Sequence, residues 1–539
     1  MAPLGPRAIP RGDERDGGVL AATEDATAKG SDADAAPRLI AKERRFVPAL
    51  NLGASWANQL IAAAGSFVVT PALLSGLGDS SYGVWLLINS FIVYMRFLDV
   101  GISSGTMKYS AGALARSDRP GLSKIFSTSV LLFGVAGLVA SLVTALFVVV
   151  LPTAYPAVLA REHAVILVLG LATASDLLFR PLGASLRSRS LYFIPDSVET
   201  ATYLVFKFGL VLYFASRGLS LWVLALLTLG ETLVRNFVVS CVGLWLCDWT
   251  RHPSPRSVDR ALLKTLALYG AGSLLINIGE LFRFGVDAAV IGYFLHDAQL
   301  IAVYGIGLRL VSIAYSTISA VAAMSIPRFS ALYETEDREG FIAHLAKTNL
   351  LVGLVSTYLL VNIGVLGLPF LRMWIDTPWV GRAFQVTLIM LPAYFIELSS
   401  GPGGALLAGA GKLRGVATLT LVEAAINLAL SVALLHWFGI YGVAFGTAIP
   451  MILVRGLVFP WLLKRTLGIP IAQYLRTHAR GLVAFVVYAV LVLPSLLLPI
   501  KGPLSFILAG LLNSAVFVVL VLAVHPGARD KVRARLGRR

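Results

Sequence analysis

Asp118-Arg119-Pro120-Gly121-Leu122 and Asp337-Arg338-Glu339-Gly340-Phe341 are one segment written twice, 219 residues apart. The repetition extends outward from both. Upstream, Tyr82-Gly83 matches Tyr304-Gly305, and Lys108-Tyr109-Ser110-Ala111 matches Arg328-Phe329-Ser330-Ala331. Downstream, Asp176 with Pro181, Gly183, Ala184 and Leu186 matches Glu397 with Pro402, Gly404, Ala405 and Leu407. Val198-Glu199 then matches Val422-Glu423, and Leu233-Val234-Arg235 matches Leu453-Val454-Arg455. The offsets stay between 219 and 224. One such match would be chance in an apolar chain, whereas six in order mark a duplicated unit.

The unit is a membrane one. Of 539 residues, 57% are hydrophobic and 14% charged, where soluble domains carry roughly a quarter charged. The surplus must face lipid, so the predicted fold is an all-α polytopic membrane protein. Apolar stretches long enough to span number fourteen, from near 48–74 to near 504–525. With the N-terminus placed in the cytoplasm, the inner segments hold 34 of the 45 Lys and Arg and the outer loops 5. That asymmetry sets both termini inside and accounts for the net charge of +16 without nucleic acid. The alternative count is twelve helices plus a re-entrant pair at the end.

The repeat offset spans six helices, an even number, so both copies cross in the same sense. The expected layout is two six-helix bundles, 47–248 and 262–466, related by an axis along the membrane normal around a central cleft. Two further helices occupy 477–525. Residues 1–46 read as a disordered cytoplasmic tail. Residues 526–539 read as a basic cytoplasmic tail able to touch anionic lipids. Two pseudo-symmetric bundles suit alternating access, in which they rock about a central site. Cys241 and Cys247 share one apolar helix, which excludes a disulfide scaffold. No catalytic triad, phosphate-binding loop or metal-ligand spacing is present, so neither an enzyme nor a metal site is expected, and no cofactor.

An ionisable group at mid-bilayer costs on the order of 3 kcal/mol on insertion scales. Those of this chain must therefore pair, reach an interface or line water. Local spacing pairs Arg96 with Asp99, Glu231 with Arg235, and Glu280 and Asp287 with Arg283. Lys207 has no acid three or four residues away, so any partner must come from another helix. Asp176 with Glu397, Glu199 with Glu423, and Arg235 with Arg455 are duplicated and read as packing. The charges of the second, seventh and eighth helices are not duplicated, as a directional site requires. Arg96, Arg283 and Arg309 are thus the candidate substrate-binding residues. Asp99, Glu280 and Asp287 are candidates for coupling to a proton or sodium ion, or for balancing those arginines.

Three stretches resemble a known family. They are Pro71–Trp85 with Phe97–Ile102; Asp287–Gly292 with Val303–Leu310 and Ile326–Leu332; and Glu423–Asn427 with Gly439–Gly446. In order and spacing they resemble the Wzx-type lipid-linked oligosaccharide flippases of the multidrug/oligosaccharidyl-lipid/polysaccharide exporter superfamily, over residues 45–465. The resemblance implies a V-shaped, ion-coupled transporter in the bacterial inner membrane. It would carry an undecaprenyl-pyrophosphate-linked oligosaccharide from the cytoplasmic to the periplasmic leaflet. Helices 1, 2, 7 and 8 would line its cleft, with Arg96, Arg283 and Arg309 meeting the pyrophosphate. A polysaccharide polymerase and glycosyltransferases would be its neighbours. The first helix carries no cation, unlike the peptidoglycan-precursor flippases, and this puts that substrate in doubt. Two other readings compete. A cation-coupled multidrug exporter would have few cavity arginines. A polytopic glycosyltransferase or ligase would need a larger outer loop than those near 151–163 and 369–383, which offer only Glu162 and Asp376.

Overall fold

The computed structural model describes residues 46–99, 101–251, 253–269, 285–500 and 502–524. Among them every regular element is helical, and thirteen helices are long and apolar enough to cross a membrane. The first six are α1 Val47–Leu77, α2 Asp79–Ala115, α3 Arg119–Ala154, α4 His163–Ser188, α5 Phe193–Ala215 and α6 Leu221–Leu246. A shorter apolar helix follows, α7 Gly285–Leu295. Then come α8 Ala298–Glu334, α9 Arg338–Trp374, α10 Val380–Gly409, α11 Arg414–Phe438, α12 Ile440–Leu467, α13 Ile471–Leu497 and α14 Pro503–Ala523. The sequence predicts a seventh spanning helix over 266–295; its stretch 270–284 lies outside the described residues. The predicted tails at 1–46 and 526–539 lie outside them too, save Phe46.

Helix α3 shows why these segments need lipid. Leu131, Val135, Leu138, Leu142, Leu146 and Val149 recur every three or four residues and are all exposed, while Phe133, Ala136, Ala140 and Thr144 on the opposite stripe are buried. A helix with apolar residues on both faces has one face for protein and one for hydrocarbon.

The duplicated segment folds alike in both places. Asp118 accepts a hydrogen bond from the Gly121 amide at 2.8 Å to start α3, and Asp337 accepts one from the Gly340 amide at 2.8 Å to start α9. Each satisfies an orphan donor of a helix start. Helix α4 packs against α2, α3 and α6, and α10 packs against α8, α9 and α12. Helix α1 lies along α5, and α7 contacts α8, α11 and α12. Helices α13 and α14 pack on α9 and on each other.

The two halves meet where the first part of α2 packs against α8 and α7. Gly83 permits this, because a Cβ there would collide with the Ala298 carbonyl oxygen. Asp79, at the start of α2, accepts hydrogen bonds from Trp379 Nε1 at 2.7 Å and Gln299 Nε2 at 3.1 Å. Trp374 Nε1 donates to the Phe67 carbonyl at 2.6 Å. These contacts tie the start of α2 and the second half of α1 to α8, α9 and the turn before α10. Both bonds to Asp79 are charge-assisted and partly buried. Asp79→Ala is expected to lower stability by about 2 kcal/mol, and Asp79→Asn by about half of that. Denaturant unfolding in detergent is the check, and an unchanged midpoint for Asp79→Ala would show that the carboxylate holds nothing.

Candidate functional site

The side chain that decides the site sits at a break in α2. After Ile92 the helix tightens into a 3-10 turn, Val93–Asp99, and Gly101 takes a left-handed conformation with φ 76°. The helix restarts at Ile102 under Asp99, whose two oxygens accept from the Ser103 amide and hydroxyl, both at 2.9 Å. Such mid-helix 3-10 turns mark strain or function. Here the turn displays Arg96, which is exposed.

Arg96 lines a cavity of about 590 Å³ formed by α2, α4, α6 and the start of α5. Four cations and four acids line it: Arg96, Arg180, Arg187 and Arg235, with Asp99, Asp176, Asp196 and Glu199. Most of them are tied together. Arg180 bridges Asp99 and Asp176, the latter at 3.1 Å, and Arg235 reaches the other oxygen of Asp176 at 2.6 Å. One knot of alternating charge thus clamps α2, α4 and α6. Arg187 lies 3.4 Å from Asp196, which also accepts from the Ser55 hydroxyl of α1. Neither Arg96 nor Glu199 makes an ion pair with a described residue.

The ion pairs of Asp99 and Arg235 run between helices and not along one helix as the spacing predicts. Asp99 pairs with Arg180 rather than Arg96, and Arg235 pairs with Asp176 rather than Glu231. Glu231 instead lies 3.6 Å from Lys207, which donates to the Thr228 hydroxyl at 3.0 Å. The expectation that the partner of Lys207 must come from another helix therefore holds. In the second half Arg455 Nε lies 2.9 Å from Glu397 and 3.0 Å from Glu423, so the duplicated pair Asp176–Arg235 recurs as Glu397–Arg455. The long basic arms reach neighbouring helices, where packing excludes water and a pair is screened least.

Of the other expected site residues, Arg309 is half-buried in α8 and makes no ion pair with a described residue. Glu280 and Arg283 lie outside the described residues. Asp287 is buried at 3% exposure. It accepts from the Tyr304 hydroxyl at 2.5 Å and from the Thr447 hydroxyl at 3.3 Å. Thr447 and Ser431 also approach Asn427 Oδ1, at 3.2 and 3.0 Å. Helices α7, α8, α11 and α12 thus gather oxygen atoms around one carboxylate. The structure brings Arg96 and Asp99 into one cavity, and places Asp287 in a separate network of the second half.

The sequence places the fourth span near 164–179, or on through Pro181, which leaves Arg180 at its end and unassigned. Helix α4 instead runs on to Ser188 with Pro181 inside it. The four-residue spacing from Asp176 to Arg180 was the available signal.

Among solved structures, the lipid II flippase MurJ in an inward closed conformation matches with a TM-score of 0.65 at 14% identity, covering 90% of this chain and 100% of that one. A multidrug resistance MATE family transporter of the MOP superfamily, inward-facing, matches with a TM-score of 0.63 at 16% identity, covering 79% and 99%. Both likenesses are of fold. The uncharacterized membrane protein EpsK of Bacillus subtilis (strain 168) is 23% identical over 433 residues, covering 78% of this chain and 83% of that protein. The profile of one family, described as polysaccharide biosynthesis protein, matches residues 77–381, more than half of the chain. A many-helix chain with the MATE and MurJ fold and a charged cavity among α2, α4, α5 and α6 thus belongs to the polysaccharide biosynthesis protein family of membrane proteins.

Proposed function

We propose that this chain is a flippase that carries undecaprenyl-pyrophosphate-linked oligosaccharide units from the cytoplasmic to the periplasmic leaflet of the bacterial inner membrane. The observation that carries the reading is Arg96, an exposed guanidinium in a cavity of about 590 Å³ with no ion-pair partner among the described residues. An unpaired cation in a cavity among membrane-spanning helices fits a diphosphate, whose hydration must be replaced during crossing. Membership of a polysaccharide biosynthesis family supports a glycan as cargo. The lining holds as many acids as cations, so it is the polysaccharide family match that favours a glycan over a small cationic drug. The test is glycan surface display in cells whose only copy carries Arg96→Ala; full display would overturn the reading.

In this reading the end that carries Asp79, Gln299 and Trp379 faces the periplasm and the cavity opens to the cytoplasm, with both termini inside. Cysteines at Ser254 and Asp297 test it. A membrane-impermeant maleimide added outside whole cells is expected to label position 297 and spare 254. Labelling of 254 from outside would invert or break the topology.

The oxygen network of Asp287 is the proposed coupling site, because carboxylate, amide and hydroxyl oxygens suit a proton or a hard cation such as sodium. Export by the wild-type chain is then expected to respond to an imposed proton or sodium gradient, and export by Asp287→Asn to ignore it. An equal response of both would remove Asp287 from coupling. Anionic lipids at the basic cytoplasmic tail, and the polymerase and glycosyltransferases that use the same glycan, are the partners this function implies.

A further inference from the structure

We propose that the α4–α6 side of the cavity is a saccharide subsite, which holds the sugar unit next to the diphosphate; this rests on the reading of Arg96 as the phosphate cation. Asn236 carries the argument. It is only 7% exposed and lines the cavity, and its Nδ2 amide has no hydrogen-bond partner among the described residues. A buried amide left unpaired is a cost that the fold carries, and a half-turn of the amide plane exchanges Nδ2 with Oδ1 so that a ligand oxygen in the cavity can pair it. Arg187 Nε, in the same lining, is a second buried donor with no hydrogen-bond partner among the described residues, although its Nη2 lies 3.4 Å from Asp196.

The third element is of opposite character. Glu199 lines the same cavity and makes no ion pair with a described residue. A carboxylate only accepts, while the amide and guanidinium N–H groups only donate. A phosphate is acceptor-rich and would be repelled by Glu199. A sugar hydroxyl both accepts and donates, so it suits a lining that holds Asn236 and Glu199 where a phosphate does not. Phe179 and Tyr192 line the cavity too, and aromatic rings suit the C–H side of a pyranose. The cavity divides accordingly: α2 presents Arg96 for charge, and α4, α5 and α6 present a donor–acceptor face for hydroxyls. A site built to bond a hydroxyl discriminates strongly against a ligand that lacks it.

Binding to the purified full-length chain in detergent tests this, read by titration calorimetry. The probes are the 1-phosphates of glucose, galactose and N-acetylglucosamine, with inorganic phosphate and inorganic pyrophosphate as the sugar-free arms. At least one sugar phosphate is expected to bind more tightly than inorganic phosphate. Asn236→Ala is expected to weaken that sugar phosphate about tenfold, the loss of roughly one well-placed hydrogen bond, and to leave pyrophosphate unchanged. Arg96→Ala is expected to weaken both. Glu199→Gln is the second variant should Asn236→Ala fold poorly; it is expected to weaken the sugar phosphate without weakening pyrophosphate. Sugar phosphates that bind no better than phosphate, or variants that weaken sugar phosphate and pyrophosphate alike, would overturn the subsite. If pyrophosphate binding still depends on Arg96 in that case, the phosphate reading survives. If no probe binds the wild-type chain, both fall.

Discussion

Replacing Arg96 by alanine is expected to reduce glycan export at least about a hundredfold while the chain reaches the membrane at its normal level. A diphosphate leaving water needs donors that stay charged in a poorly hydrated space. Guanidinium supplies planar, often bidentate bonds to phosphoryl oxygens and keeps its proton there. Losing one such donor where charge must be held costs about 3 kcal/mol, which is a factor of a hundred or more in rate. Arg96 is freer for this than the other arginines of its cavity. Arg180, Arg187 and Arg235 already lie against Asp99, Asp176 and Asp196, whereas Arg96 has no acid partner among the described residues. Its removal therefore breaks no structural pair, and folding and export should separate. Arg96→Lys should restore export only in part, because an ammonium keeps the charge and loses the fork. The deciding measurement is surface glycan at matched membrane levels. Full display by Arg96→Ala would show that the phosphate meets another group.

What the sequence made legible follows from which forces leave a pattern. Apolar runs and the Lys and Arg asymmetry mark spanning helices because lipid imposes them residue by residue. The duplicated Asp118 and Asp337 segments were readable because a helix start is local chemistry, and both begin their helices with the same bond. Ion pairing was not local. The spacing rule for a single helix joins Arg96 to Asp99 and Glu231 to Arg235. The folded chain joins Asp99 to Arg180, 81 residues on, and Asp176 to Arg235, 59 residues on. A pair within one helix face can form in any isolated helix. A pair between helices depends on packing that no single stretch of sequence displays. The break in α2 that exposes Arg96 was hidden for a related reason. Gly101 hints at it, but the tightened turn before it depends on Asp99 restarting the helix through Ser103. The unpaired amide of Asn236 left no mark in the sequence at all, since an asparagine in a spanning helix is more often satisfied than not.

The knot around Arg180 gives the other large expected effect. Arg180→Met keeps most of the side-chain volume and removes the charge, which leaves Asp99 and Asp176 facing Arg235 alone. Were the knot freely hydrated, each pair would be worth less than about 1 kcal/mol and the variant would be nearly neutral. Its exposure argues otherwise: the side chains of Arg180, Asp99 and Asp176 are 28%, 15% and 25% exposed, so most of their surface is out of water. Breaking a largely buried pair by removing one partner strands the other charge, and the expected loss is about 3 kcal/mol of stability. The double variant Arg180→Met with Asp99→Asn separates the two accounts. It removes the stranded carboxylate and leaves Asp176 with Arg235, and an asparagine oxygen can still accept from the Ser103 amide. It is therefore expected to be more stable than Arg180→Met alone by about 1–2 kcal/mol, although it carries one more substitution. Additive losses would mean that Asp99 and Arg180 do not interact energetically. Denaturant unfolding of the four proteins of this cycle in detergent measures the coupling, and a coupling near zero would return the knot to the status of a solvated cluster.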